Sequence, residues 1–186
     1  MALIRGVFID LDDTLVGTRE ANYRAYRRAC QSGGLELTRA AFAANWGRDS
    51  RSFLPEVFDG LPIDAVERIR DEKKRVYVEE LASTRVNAPL VDFVRSLPDV
   101  VVVLVTTAKR ENAEGVIELH GLGGLFHHRV FGDDVSLGKP SPECYLRALE
   151  LAGLDAASAV AFEDSDHGIA SATAAGVATI RVEYFA

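Results

Sequence analysis

The chain has 186 residues, 48% of them hydrophobic and 26% charged, with a net charge of -7. That is the composition of a globular protein long enough for one core plus a small inserted module, and the acidic balance excludes nucleic-acid binding driven by phosphate contacts, since there is no basic surplus to release counterions. Two cysteines, Cys30 and Cys144, make no disulfide framework and suit a reducing, cytoplasmic setting, while the first residues lack signal-peptide regions and no apolar stretch approaches the ~20 residues of a membrane span.

The first predicted element is a strand over residues 3–9, an apolar run that stops at Asp10-Leu11-Asp12-Asp13-Thr14-Leu15. A short unbroken apolar run suits a strand covered on both faces, as in a parallel α/β sheet, where ligands bind beyond the carboxyl ends of the strands. Side chains alternate with period two, so Asp10 and Asp12 share a side if the extended geometry persists that far. Two such acids need a cation or a shared proton to coexist. From about residue 16 to 88 the texture turns helical, with helices predicted over 19–31, 38–45 and 63–81. The last of these carries Val66, Ile69, Val76, Tyr77 and Leu81 at helical spacing. Gly33-Gly34, Asp59-Gly60-Leu61-Pro62 and Asn87-Ala88-Pro89 punctuate the module as turns and as the return linker. Strands and helices then alternate. Strands are predicted over 100–105, 129–131, 159–162 and 177–182, and helices over 109–120, 142–152 and 166–175. Ser141 followed by Pro142 gives one helix a hydroxyl cap and a pre-set first residue, and Gly176 closes the helix before the last strand. This alternation reads as βαβ units on a parallel sheet, interrupted after its first strand by a helical module.

Polar residues mark three more places on the sheet's carboxyl edge. The second strand runs into Thr106-Thr107-Ala108-Lys109, the fourth into Glu163-Asp164-Ser165-Asp166, and Gly138-Lys139-Pro140 precedes a helix. If the strands are parallel, these groups converge. Carboxylates with one hydroxyl and one ammonium favour a hard cation, Mg²⁺ above all, which shares its shell readily with a substrate phosphate. Zinc is disfavoured, because His120, His127, His128 and His167 lack ligand spacing with cysteine. Phosphoryl transfer suits the inventory: an aspartate to attack phosphorus, a second to shuttle the proton, and positive groups around the phosphoryl oxygens. Thr106, with the backbone N–H groups of Thr107 and its neighbours, can bind those oxygens and Lys139 can neutralise them. Glu163 and Asp164 can hold the metal together with Asp10. Spacing alone leaves the roles of Asp10 and Asp12 interchangeable.

Four motifs in order resemble those of the haloacid dehalogenase superfamily, in its phosphatase branch with a helical cap of the C1 type. They are Asp10-Leu11-Asp12-Asp13-Thr14-Leu15, then Thr106, then Lys139 with Pro140-Ser141-Pro142, then Glu163-Asp164-Ser165 with Gly168. The resemblance implies a Rossmann-like doubly wound α/β core over 1–15 and 89–186, with a mobile cap over 16–88 that closes on the site and selects the substrate. It implies Asp10 as nucleophile, Asp12 as acid/base, and Mg²⁺ held by Asp10, the Asp12 backbone carbonyl and Asp164, with Glu163 assisting. The expected activity is hydrolysis of a small soluble phosphorylated metabolite through an aspartyl phosphate, as in the phosphoglycolate phosphatase and beta-phosphoglucomutase group, with no nucleic-acid or membrane partner. Sugar-phosphate mutase, phosphonate hydrolase and non-catalytic binding protein are the alternatives. Asn22 stands where the mutase branch has a histidine, and Asp12 argues against halide displacement. Thr18, Arg19, Asn22 and Arg48 are the candidates for substrate selection, followed by Arg51, Lys73 and Lys74. The chain ends at Tyr184-Phe185-Ala186, directly after its last strand, where many relatives in the superfamily continue. An edge so exposed is expected to be covered by the cap or by a partner subunit, in a monomer or a homodimer.

Overall fold

A computed structural model describes residues 3–185. The leader-free reading of Met1 and Ala2, and the Ala186 end of the tail, fall outside the described residues. The chain opens with β1 (Gly6–Ile9), turns through a short loop into β2 (Val16–Gly17), and runs through α1 (Arg19–Ser32), α2 (Arg39–Ala44), α3 (Ser50–Val57) and α4 (Ile63–Glu80). It returns as β3 (Arg85–Val86), antiparallel to β2. Then follow α5 (Ala88–Arg95), β4 (Val101–Val105), α6 (Arg110–Leu119), β5 (His128–Val130), α7 (Glu143–Ala152), β6 (Ala159–Glu163), α8 (Asp166–Ala174) and β7 (Ala178–Arg181). No helix among the described residues is long and apolar enough to cross a membrane.

Two compact units result. The first holds the described residues up to Gly17 and those from Arg85 onward. Its five strands form a parallel sheet in the order β5-β4-β1-β6-β7. The chain leaves β1 for β4 and β5 on one side and then crosses to β6 and β7 on the other, so the direction of winding reverses at β1. In doubly wound sheets that reversal opens a crevice at the carboxyl ends of the strands, and Asp10 follows β1 directly there. Register keeps the strand ends level: Ile9 pairs with Leu104 on one side and with Phe162 on the other. The β1 segment Gly-Val-Phe-Ile is buried throughout, as expected for a central strand covered on both faces. Phe8, Val103, Val130, Tyr145 and Ala148 build the core beneath α7, while Ala159, Ala161 and Ala172 let α8 settle close to β6.

The second unit, Thr18–Thr84, is helical. Its core gathers Tyr23, Phe42, Phe53, Leu54, Val66 and Ile69. Rings meet at 5.5 Å for Tyr23 with Phe42 and for Phe42 with Trp46, tilted by 50° and 54° rather than face to face. Thr38 caps α2 by accepting from the Ala41 N–H at 3.1 Å. Because Val16–Gly17 and Arg85–Val86 pair with each other, that ribbon groups with the sheet and the helical unit runs inside the 16–88 span.

Two helices are absent from the sequence reading. In α3 the interior Pro55 and the polar start disguise a helix that Asp49 caps through the Arg51 N–H at 2.7 Å. In α5 the Asn-Ala-Pro segment reads as linker, yet Asn87 is the cap, accepting from the Leu90 N–H at 3.2 Å with Pro89 in the first turn. The first strand is shorter than its apolar run: Leu3 and Ile4 lie outside it and are exposed. At the other end, Phe185 packs on its own unit, where a Cβ on Gly17 would lie 2.7 Å from the ring. Tyr184 stands edge-on to Phe185 at 4.8 Å. Ala178, Ile180 and Arg181 of the edge strand β7 are exposed, and beside them an apolar groove of about 330 Å³ runs over Val7, Phe93, Val160, Phe162 and Ile180.

Candidate active site

Backbone pairing of the sheet continues one residue past β1, where the Asp10 N–H donates to the Phe162 carbonyl at 3.1 Å. There the extended geometry ends. The Leu15 and Val16 N–H groups both donate to the Leu11 carbonyl, at 3.1 and 2.9 Å, and Asp13 takes a φ of 61°. The chain has therefore already turned at Asp12, so the shared side expected for Asp10 and Asp12 from strand alternation is not set by extended backbone. Asp12 sits half-buried in this turn and bridges to Val16. Asn87 ties the turn to α5, since its amide donates to the Thr14 carbonyl at 3.1 Å and its N–H to the Leu15 carbonyl at 2.8 Å.

Lys139 enters from the loop before α7. Its ammonium donates to Asp10 Oδ1 at 2.6 Å, to Glu163 Oε1 at 2.5 Å and to the Val105 carbonyl at 3.0 Å. A lysine has three donors, and all three are engaged. The side chain is 7% exposed. Burial opposes its charge, but Asp10, Tyr145 and Glu163 together hold it well above the ordinary lysine range. Its contact with Val105 sets Lys139 beside Thr106, whose buried hydroxyl accepts from the Ala108 N–H at 3.0 Å. Thr107 is exposed.

Glu163 closes β6 and is fully buried. Oε1 accepts from Lys139 and from the Tyr145 hydroxyl at 2.7 Å, and Oε2 from the Ser165 hydroxyl at 3.4 Å. Its carboxylate lies so close to the backbone of α8 that a Cβ on Gly168 would overlap it; only glycine permits that approach. Burial, and then the Asp10 charge, push Glu163 up to about 7 against the pull of Lys139 and Tyr145. Asp164, the next residue, is only partly buried and accepts from the Thr14 hydroxyl at 3.3 Å. Burial, Asp10 and Asp13 raise it to about 7. Arg181 of β7 braces this loop by donating to the Asp164 carbonyl at 2.8 Å and pairing with Asp166.

Asp10, Glu163 and Asp164 each offer an oxygen within 4.8 Å of the others. One ammonium faces three carboxylates, and burial beside Asp10 makes both Glu163 and Asp164 resist ionisation. Hard oxygen donors with surplus negative charge fit a small divalent cation, and no histidine or sulfur competes in the set.

The sequence-based site thus divides. Asp10, Lys139, Glu163 and Asp164 come together, with Thr106 beside them. Thr18, Arg19, Asn22 and Arg48 all belong to the helical unit. There the Thr18 carbonyl accepts from the Asn22 backbone and side-chain amides at 2.9 and 3.1 Å. The Arg19 guanidinium lies 5.3 Å from the Trp46 ring centroid. Arg48 is exposed and bound to Glu56, at 2.7 and 2.9 Å, and to Asn45. Lys73 is buried, its ammonium 4.1 Å from the Tyr77 ring centroid. Tyr145 is the residue whose part in the site the sequence reading does not identify, whereas Gly168 already belongs to the fourth motif. Tyr145 reads as one more apolar position on α7, and its hydroxyl contact with Glu163 spans 18 residues.

Comparison with known proteins follows the same lines. The family model of haloacid dehalogenase-like hydrolases matches residues 4–176. A phosphorylated carbohydrates phosphatase from Thermotoga maritima is 34% identical over 182 residues, covering 95% of this chain and 84% of that protein. A fructose-1-phosphate phosphatase from Escherichia coli is 27% identical and covers 95% of both chains. In fold, the crystal structure of CbbY from Rhodobacter sphaeroides in complex with phosphate superposes with a TM-score of 0.83 at 23% identity, covering 98% of this chain and 88% of that one. By its four ordered motifs, its sheet and the family model that spans nearly all of it, the chain belongs to the haloacid dehalogenase-like hydrolases.

Proposed function

We propose that the protein is a Mg²⁺-dependent phosphatase of small phosphorylated metabolites, phosphorylated carbohydrates first among them, working through a phosphoryl group carried on Asp10. The observation that carries this reading is the convergence of Asp10, Glu163 and Asp164 around Lys139 at the reversal point of the sheet. The substrate class is supported by the relatives named for phosphorylated carbohydrates and fructose 1-phosphate.

Asp10 attacks phosphorus in line with the ester oxygen, forming an aspartyl phosphate as the phosphorus–ester bond breaks. Asp12 gives its proton to the departing alcohol and then takes one from the water that cleaves the acyl phosphate, returning Asp10 as carboxylate and releasing inorganic phosphate. Thr106 and the backbone after it bind phosphoryl oxygens. Lys139 has no spare hydrogen, so it acts through its charge and by orienting Asp10. Asp10, Glu163, Asp164 and the Asp12 carbonyl would hold Mg²⁺, which when bound offsets charge on the transferring phosphoryl oxygens. We assign the helical unit, with Thr18, Arg19, Asn22 and Arg48, to substrate choice. It would exclude water during the first step.

The test is a panel of sugar phosphates, nucleoside monophosphates, phosphoglycolate and an aryl phosphate with Mg²⁺, run beside Asp10→Asn. The substitution is expected to abolish turnover while circular dichroism and the urea midpoint stay near those of the wild type. Turnover unchanged by Asp10→Asn would sink the reading.

A further inference from the structure

We infer that Tyr145 is a positioning residue of this site, its hydroxyl satisfying the Glu163 carboxylate so that the Lys139 ammonium stays shared with Asp10. The inference rests on the phosphatase reading and deepens it. Tyr145 comes from the core side of α7, is fully buried, and donates to Glu163 Oε1 at 2.7 Å. The same oxygen accepts from Lys139 at 2.5 Å, and Lys139 in turn donates to Asp10 Oδ1 at 2.6 Å. These contacts form one continuous chain from the α7 core to the nucleophile: hydroxyl, carboxylate, ammonium, carboxylate.

Two carboxylates compete for one ammonium, and the outcome depends on what else satisfies each of them. Glu163 cannot turn to water, because it is fully buried. Among the described residues its other oxygen accepts only from the distant Ser165 hydroxyl, at 3.4 Å, and the backbone at Gly168 blocks retreat toward α8. Removing the Tyr145 hydroxyl therefore leaves a buried carboxylate with one strong donor, Lys139, and strengthens its claim on that donor. The ammonium then shifts from Asp10 toward Glu163, and the nucleophile loses the contact that fixes its rotamer. Tyr145 itself touches neither Asp10 nor the phosphoryl pocket through its hydroxyl, so its influence runs through Glu163. The ring carries a separate, structural role: it packs on Phe8 at 6.4 Å and lies beneath the ammonium at 5.5 Å. Phenylalanine keeps that role.

The experiment is Tyr145→Phe, assayed for kcat and KM on the best substrate of the panel, alone and combined with Glu163→Gln. Loss of a hydrogen bond to a charged group that bears on the transition state predicts a roughly 10- to 100-fold fall in kcat with KM within about twofold. In the Glu163→Gln background the hydroxyl has no carboxylate to satisfy, so the further loss should shrink to about twofold or less. A Tyr145→Phe enzyme with wild-type kcat, or one whose KM alone rises, overturns the inference, as do effects that multiply independently in the double variant. A Tyr145→Phe chain that no longer folds makes the hydroxyl a stability element and overturns it too. If Asp10→Asn abolishes turnover while Tyr145→Phe is silent, only this inference has failed; if Asp10→Asn is itself silent, the phosphatase reading has failed.

Discussion

Asp164 carries a consequence for stability that can be measured without any substrate. Burial and the charges of Asp10 and Asp13 raise its carboxyl from 3.8 to about 7 in the folded protein. The unfolded chain gives up this proton near pH 4, whereas the folded one keeps it until about 7, so the folded state binds more protons across that interval. Stability is therefore complete below the unfolded value and falls as pH rises to the folded one. Between pH 5.5 and 7 the loss is at most about 2 kcal/mol, at ~1.36 kcal/mol per pH unit. Asp164 is partly exposed, and solvent screening brings this to roughly 1 kcal/mol. Glu163, also raised to about 7, works in the same direction. His120, lowered by burial, works in the opposite one. The difference between wild type and Asp164→Asn isolates the Asp164 share. Urea unfolding in EDTA should show the wild type losing stability relative to Asp164→Asn as pH goes from 5.5 to 8. Millimolar Mg²⁺ should restore the loss, because a ligand that binds only the folded state stabilises it by mass action and here must displace the proton. If wild type and Asp164→Asn keep a constant difference across that pH range in EDTA, the charge balance argued for the site is wrong.

Two further substitutions probe the packing beneath the site. Gly168→Ala puts a methyl group into the Glu163 carboxylate, and its overpacking cost of about 1–3 kcal/mol outweighs the ~1 kcal/mol that alanine gains in a helix. Reduced stability in urea together with lost turnover is expected, and a variant as stable as wild type would show that α8 stands farther from Glu163. Lys139→Met leaves two buried carboxylates without their counter-ion, a loss of about 3–5 kcal/mol at neutral pH. That loss should shrink toward pH 5, where Glu163 takes up a proton, and thermal unfolding at the two pH values reads the difference.

Much of this site is legible in the sequence because its groups follow directly on strands. Asp10, Thr106 and Glu163-Asp164 are placed by the ends of β1, β4 and β6, and an apolar run that stops at a polar residue is visible without coordinates. Strand alternation says less about Asp12, because the backbone turns at Leu11, where two N–H groups converge on one carbonyl. The helices α3 and α5 are missed for a common reason: each carries a proline near or inside its body, with Asn87 capping from a segment that reads as a turn and Asp49 from one that shows no element signal. Tyr145 is missed for a different one. A tyrosine on the apolar stripe of a helix is ordinary core, and only the fold shows that its hydroxyl reaches a carboxylate at the end of β6.

The site has two electrostatic halves, and Asp10 belongs to both. In the buried half, Lys139 neutralises Asp10 and Glu163 together, and every hydrogen of the ammonium is committed. In the more open half, Asp164 has a hydroxyl from Thr14 and two neighbouring acids that oppose its charge. A site with only the first half would hold Asp10 in place but offer a cation too little negative charge, and one with only the second would attract a cation without fixing Asp10. Because one carboxylate joins the halves, effects on either side should not add. Weakening the Lys139 contact changes how much negative charge Asp10 presents to the open half, and neutralising Asp164 changes how strongly Lys139 is held. Coupling between Lys139 and Asp164, which have no direct hydrogen bond, is thus a property of Asp10 and should disappear in an Asp10→Asn background.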